Sequence, residues 1–567
     1  MDFINQNNTG TQLSRPIWPV LLVALIIVLS LSGIANHDLW TPDEPREAAI
    51  SLSMSRSGNL VIPELAGKPF VEKPPLFYVI ASFFLIAFGN IIGNTTALRL
   101  VSACFGLGTL FFTYLLGKIY FDRQKALIAT GILATMLGFV HITHWLLVDN
   151  ALMFFIIASI WALARAYSNL TESRDNHLPC LILAGILAAG AFLAKGFIGP
   201  LVITITWAGM FITLIKKTGG SIILSKKSIL FHFIGLVAAV LIGSSWILLF
   251  YLNGDPELFH EWWWTNHFGR FSGQATNLGH ISPWHYYFGV LPVYILPWLA
   301  LFLVAMGNMF KKIYRRETLP AGMLMLSFWI IGTFVLFSLS ATKREIYLGA
   351  FLPACALLCA SGLKEQLPRL DKTIYRLWLT LLFIVTALGV SAPFVAHKFS
   401  QIPPVLFGWP HALSLAVIII ALFILINFRT PFLHRFLIVT MMLYSTILMI
   451  YCPLVDAYKS YGNSFRTAAY AIKAQPEIKI AGWNLDETTV AGFYYYCNLA
   501  FPSITDKKTL DNILDGKDTR FNGVITLQKK SRPNGLPVNE NQVIFKLRMG
   551  KRRLLQVIVP AGHKNRQ

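Results

Sequence analysis

The run WPVLLVALIIVLSLSGIA, Trp18 to Ala35, is followed closely by Thr41-Pro42-Asp43-Glu44-Pro45-Arg46 and then by Phe70-Val71-Glu72-Lys73-Pro74-Pro75. An apolar run of that length is enough to cross a bilayer as a helix. Carboxylates placed just beyond it are costly near lipid unless they face water, a metal or a substrate. The juxtaposition points to an enzyme working at a membrane face rather than to a passive anchor.

The rest of the chain agrees. Of 567 residues, 55% are hydrophobic and only 13% charged, and the mean hydropathy is +0.58, which leaves too little polar surface to cover a soluble globule of this size. Runs of roughly 17 to 25 apolar residues recur from Trp18 to Cys452, and the composition turns soluble from Asp456 onward. The expected fold is an all-α polytopic membrane domain over residues 1–455 and a small α/β domain over residues 456–567. Arg15 and the Gly33-Ile34-Ala35 triplet give the first run some look of a signal peptide. It is read as an uncleaved span, because a cut there would leave the acidic motif with no helix to hold it.

The net charge of +21 does not form one basic face, so no nucleic-acid partner is expected. Lys and Arg gather in short loops, where they orient helices and meet anionic membrane lipids. Cys104, Cys180, Cys355 and Cys359 lie in apolar runs and read as small hydrophobes. Cys452 and Cys497 could meet outside the membrane, but no disulfide framework is legible.

Loop charge also sets the topology. About fourteen apolar runs are present, and the positive-inside pattern is coherent only if Pro75 to Ile92 lies at the outer interface instead of crossing. About thirteen transmembrane helices then remain, plus interfacial helices, with the N-terminus inside and the C-terminal domain outside. The inner loops carry Lys118, Arg123 and Lys125; Arg165 and Arg174; Lys216, Lys217, Lys226 and Lys227; Lys311, Lys312, Arg315 and Arg316; Lys364, Arg369, Lys372 and Arg376; and Arg429 and Arg435. On the outer side fall Asp43, Glu44, Arg46, Glu72, Lys73, Asp149, Lys195, the segment from Asp255 to Arg270, and Lys343-Arg344-Glu345. Basic residues that go against the orienting bias need a reason, and an anionic lipid-linked substrate supplies one. The two long outer loops, His37 to Thr96 and Tyr251 to Pro283, are expected to form short helices roofing a cavity, with Trp262, Trp263, Trp264 and Trp284 in the headgroup layer.

Several of these residues have two readings. Asp43 and Glu44 suit a general base, or a cap for the helix that starts near Pro45. Glu72 and Lys73 could be an exposed ion pair; alternatively Glu72 with His267 offers oxygen and nitrogen to a divalent ion. Lys73, Arg46, Lys195, Arg270 and Arg344 suit phosphate recognition, and each singly suits a lipid headgroup. Asp149 follows His141, His144 and Trp145 and either orients a base or caps a helix. Tyr347 either hydrogen-bonds a sugar or anchors at the interface. The chain has no P-loop, no dinucleotide fingerprint and no C-x-x-C pair, so nucleotide-driven transport and soluble-cofactor redox chemistry lack support.

Asp43-Glu44-Pro45-Arg46, Glu72-Lys73-Pro74, Asp149, Lys195-Gly196, His267 to Arg270, and Lys343 to Tyr347 with Pro353 occur in an order and spacing that resembles the GT-C membrane glycosyltransferases. The branch resembled holds the bacterial 4-amino-4-deoxy-L-arabinose transferases and the protein O-mannosyltransferases. The resemblance covers residues 15–455. It implies an enzyme that takes a sugar, expected to be aminoarabinose, from polyprenyl (undecaprenyl) phosphate and transfers it to lipid A or a related envelope acceptor. The setting implied is the periplasmic face of the bacterial inner membrane. It also implies roles: Asp43 as base in an inverting displacement, with Asp149 and Tyr347 lining the sugar and acceptor pocket beside Glu44. Lys73, Arg46, Lys195 and Arg270, with Arg344, would hold the phosphate. Glu72 and His267 would bind a divalent metal, by kinship zinc. Glu47 and Phe70-Val71 stand where the aminoarabinose enzymes often carry a tyrosine and another aromatic pattern, so the resemblance leaves the sugar open. A protein O-mannosyltransferase-like activity is the alternative among enzymes. A non-catalytic flippase or scaffold is the alternative class, although flippases usually place their charges around a midplane cavity.

Overall fold

The computed structural model describes residues 17–172, 177–221, 223–274, 281–317, 319, 322–363, 432–459, 461–529, 542–549 and 553–560, with isolated positions 373, 377, 380 and 384. Among the described residues six helices are long and apolar enough to cross a membrane, or eight if each of two bent pairs forms one span. Four shorter apolar helices accompany them: Trp18–Leu31, Leu76–Ile92, Met323–Leu339 and Glu345–Ser361. The inner loop expected around Lys364 to Arg376, and the apolar runs that follow it, lie outside the described residues.

The loop from His37 to Thr96 is built by local chemistry. Pro45 sits in the first turn of helix Glu44–Ser57, where its missing N–H costs nothing, and Gly58 at φ +69° closes the other end. Ala66 (φ +53°) and Gly67 (φ +81°) turn a two-residue hairpin between β1, Glu64–Leu65, and β2, Lys68–Pro69. Helix Leu76–Ile92 follows, and Gly93 at φ +84° redirects the chain into the long span Asn94–Tyr120.

Helices Asp149–Thr171 and His177–Lys195 pack side by side and lie only five residues apart in the chain, so they run antiparallel. Asp149 and Lys195 therefore share one end of the bundle. Helix Lys226–Asn253 approaches His177–Lys195 backbone to backbone: a Cβ on Gly185 would lie 2.0 Å from the Gly235 carbonyl oxygen. Small residues permit such contact, a common way for helices to associate in lipid. The far side of Lys226–Asn253 is left exposed at Leu230, Phe233, Leu236, Val240 and Leu241, as suits lipid contact. Ile132, Ile156, Ile160, Leu352 and Leu358 are fully buried where the surrounding helices meet.

Helix Phe432–Lys459 carries the chain past the expected boundary at residue 455 into helix Tyr461–Lys473. The tail sheet has β3 (Ile480–Trp483), β4 (Ser503–Ile504), β5 (Gly523–Lys529), β6 (Val543–Met549) and β7 (Arg553–Ile558), in the order β4-β3-β5-β7-β6. The β3 pairings are parallel and those of β7 antiparallel. With helices Glu487–Cys497 and Lys507–Leu514 this is the expected α/β domain. All six cysteines are free, so Cys452 and Cys497 do not pair, and Cys104 is exposed rather than buried.

Candidate active site

Asp43 occupies the N-cap position of helix Glu44–Ser57 but does not cap it: its backbone is already helical, and its carboxylate bonds none of the helix N–H groups. The carboxylate instead faces Arg344, whose Nη1 donates to Oδ1 at 2.8 Å and whose Nη2 donates to Oδ2 at 2.5 Å. Arg46 adds a bond to Oδ1 at 3.1 Å. Burial pushes the Asp43 carboxyl up, but Arg344, Arg46 and Lys73 outweigh it and hold it well below the usual carboxylate range.

One turn further along, Glu47 is 1% exposed. It accepts from Lys73 Nζ at 2.9 Å and from Arg46 Nη2 at 3.3 Å, and the Tyr78 hydroxyl faces it. Burial raises the Glu47 carboxyl, and these two cations more than offset that. Lys73 therefore pairs with Glu47, not with its neighbour Glu72. Arg46 also reaches into the tail, donating to Glu487 at 3.1 Å. Thr488 donates to the Pro42 carbonyl at 3.1 Å, so helix Glu487–Cys497 rests directly on the acidic motif.

A second cluster adjoins the first. Lys195 donates to Asp149 at 2.5 Å, and its ammonium lies 4.4 Å from the centre of the Tyr347 ring. Tyr347 lies in the tight 3₁₀ turn Glu345–Phe351, directly after Arg344 and Glu345. Arg344, bonded to Asp43, also feels the charge of Asp149, which links the two clusters electrostatically. Three cations are thus matched one to one with carboxylates, and Arg46 spans several.

The segment after helix Lys226–Asn253 reaches the first loop. Segment Glu261–Gly269 winds in wide π-type turns, a departure frequent at functional sites. Trp262 is buried against Trp246 and Phe250, while Trp264 and Trp284 are exposed. Asn266 donates to the Val71 carbonyl at 3.4 Å, so the residues beside Glu72 and His267 touch across the two loops. His267 Nδ1 bonds the Trp262 carbonyl at 2.8 Å, and Nε2 packs against Gly196. A Cβ on Gly196 would sit 2.3 Å from that nitrogen, and its φ is +73°, so glycine is required twice over. The side chain of Arg270 lies outside the described residues.

The imidazole geometry suits a metal, since a carbonyl on Nδ1 turns Nε2 outward as a ligand. The number of donors does not: no group of three or more His, Cys, Asp or Glu that could hold an ion occurs among the described residues, whereas protein-bound zinc usually has at least three protein ligands.

Glu44 departs from its expected place beside the substrate. It is fully buried, with Oε1 accepting from Arg99 Nε at 2.8 Å and Leu146 N at 3.1 Å, and Oε2 from Arg99 Nη2 at 2.8 Å and Trp40 N at 2.6 Å. Arg99 further donates to the carbonyls of His37 and Asp38. With two donors on each oxygen, Glu44 fastens the outer loop to the membrane domain. Sequence reasoning missed Glu47, Arg99 and Glu487. The signal for Glu47 was an acidic residue one helical turn after Asp43, on the same helix face.

A family model described as dolichyl-phosphate-mannose-protein mannosyltransferase matches residues 18–262. The undecaprenyl phosphate-alpha-4-amino-4-deoxy-L-arabinose arabinosyl transferase 2 of Proteus mirabilis (strain HI4320) is 29% identical over 349 residues, covering 60% of this chain and 58% of that protein. The match thus spans less than two thirds of that relative. The protein of the same name from Pseudomonas fluorescens (strain Pf0-1) is 26% identical over 407 residues, 69% of each chain. The crystal structure of ArnT from Cupriavidus metallidurans bound to undecaprenyl phosphate shares the fold, with a TM-score of 0.70 at 18% identity over 98% of this chain and 100% of that one. The chain thus shares its fold with the ArnT structure, and its membrane domain is similar in sequence to the aminoarabinose transferases and to the protein mannosyltransferase family model.

Proposed function

We propose that this multi-pass membrane protein transfers a sugar, by kinship 4-amino-4-deoxy-L-arabinose, from an undecaprenyl-phosphate carrier to lipid A or a related envelope acceptor. The reaction would occur at the periplasmic face of the inner membrane. One observation carries the reading: Arg46, Lys73, Lys195 and Arg344 come from four separate stretches of chain and gather with Asp43 and Asp149 at one end of the helix bundle. Such a set suits an anionic donor whose leaving group gains charge in the transition state.

In the displacement, the acceptor hydroxyl oxygen forms a bond to the anomeric carbon, and the bond from that carbon to the phosphate oxygen breaks. The electron pair stays with the phosphate and the hydroxyl proton passes to Asp43, with inversion at the carbon. The fork from Arg344 must loosen for Asp43 to accept a proton, and a donor phosphate competing for Arg344 would loosen it. Asp149 and Tyr347 would line the sugar and acceptor pocket, and the carrier chain would lie against the exposed aromatic roof. A divalent ion on Glu72 and His267 is a separate proposal, since further ligands would have to come from elsewhere; no step is routed through it.

Transfer assayed in membranes tests the reading. Asp43→Asn and Lys73→Ala should each abolish transfer at near-normal protein levels, and full activity in both would overturn it. The family match over residues 18–262 favours, as a second reading, a protein acceptor. Mass spectrometry of lipid A and of envelope proteins from a deletion strain separates the two.

A further inference from the structure

A buried carboxylate among phosphate-gripping cations is an odd component for a site that only has to hold an anion. Glu47 sits there, bonded to Lys73 and Arg46, the two cations contributed by the first outer loop. It shares a helix with Asp43, and its backbone N–H donates to the Asp43 carbonyl at 3.1 Å. Its partners are satisfied at the expense of the site's net positive charge.

The charge change in the proposed reaction gives this a purpose. The sugar-carrying donor is a phosphodiester with one negative charge. After the anomeric carbon–oxygen bond breaks, the electron pair remains on the released phosphate, now a monoester of up to two negative charges. Without Glu47, Lys73 would stand unopposed and Arg46 less opposed, and the site would hold that product more tightly than the donor; slow release often limits turnover. We infer that Glu47 is a positioning residue that holds Lys73 and Arg46 in place while limiting their grip on the released polyprenyl phosphate, and thereby sets turnover. The inference rests on the transferase reading of the site.

The test uses the full-length chain and a short-chain polyprenyl phosphate as product inhibitor. Glu47→Gln keeps the shape and removes the charge. Its inhibition constant for polyprenyl phosphate should fall on the order of tenfold, with kcat falling and the donor KM not rising. Glu47→Asp, which keeps the charge, should stay near wild type, and Lys73→Gln should move the inhibition constant upward. If Glu47→Gln weakens polyprenyl phosphate binding, as Lys73→Gln does, Glu47 is only an anchor for Lys73 and the inference is overturned. Should Glu47→Gln alone fail to accumulate, the comparison is made on the Lys73→Gln background. There, removing Glu47 should still tighten binding through Arg46, and no change or weaker binding overturns the inference. A wild-type chain that transfers sugar but shows no inhibition by polyprenyl phosphate also overturns it. A wild-type chain with neither transfer nor inhibition overturns the transferase reading beneath it.

Discussion

Arg344 and Asp43, 301 positions apart in the chain, meet as a two-pronged fork with N···O distances of 2.8 and 2.5 Å. The pairing joins the acidic motif after the first span to the loop that opens the 3₁₀ turn at Glu345. It also ties the state of the proposed base to the availability of an arginine that a phosphate would seek.

A pH dependence follows. Burial raises the Asp43 carboxyl, and Arg344 is the strongest of the groups that lower it, ahead of Arg46 and Lys73. The free wild-type enzyme should therefore lose no kcat/KM to Asp43 protonation down to about pH 4, near the ordinary aspartate value. In Arg344→Gln the cation that favours the charged form is gone while burial remains, so the folded-state pKa rises and the acidic limb of kcat/KM moves to higher pH. The pH profile of residual transfer checks this, and an unmoved limb contradicts it.

Glu44→Gln should damage the fold rather than the chemistry. Glu44 and Arg99 are both fully buried and bonded at 2.8 Å, and removing one charge leaves the other uncompensated. A loss of about 3–5 kcal/mol is expected from breaking such a pair. It should appear as a lower melting temperature and poor recovery of monodisperse protein in detergent.

Gly196→Ala should lower transfer without removing any functional group. The new Cβ would fall 2.3 Å from His267 Nε2 at a backbone φ of +73°. The cost in stability is about 1 kcal/mol or more, and the strain at position 196 falls directly beside Lys195, which bonds Asp149. Kinetics of the purified variant give the result, and wild-type kcat/KM would contradict the proposed placement.

Much of this was legible in the sequence, for physical reasons. The turn to soluble composition from Asp456 onward marked out the small α/β tail domain, whereas a strand as short as Ser503–Ile504 leaves no pattern. Charge placed against the orienting bias singled out Arg46, Lys73, Lys195 and Arg344. Pairing was not legible, because partners lie far apart in the chain. Glu72 beside Lys73 suggests a local ion pair, yet Lys73 bonds Glu47, 26 positions away. Arg99 near the start of an apolar run has no acidic residue near it in sequence, and only the fold brings it to Glu44. Glu487 in a first helical turn reads as a dipole partner, and only the docking of the tail sets it against Arg46.

Metal content separates the proposed roles of His267. If Glu72 and His267 hold zinc together with substrate oxygens, zinc should co-purify with the donor-loaded chain and be lost in His267→Ala. Elemental analysis reads this directly, and equal metal in both proteins contradicts it.

The central claim is that the cluster around Asp43 receives the phosphate of a lipid-linked sugar. A structure of the chain with polyprenyl phosphate bound tests it most directly. The account predicts phosphate oxygens within hydrogen-bond distance of Lys73 and Arg344, with the Asp43–Arg344 fork opened. Phosphate bound elsewhere on the membrane domain, with Lys73 still on Glu47 and Arg344 still on Asp43, would contradict it.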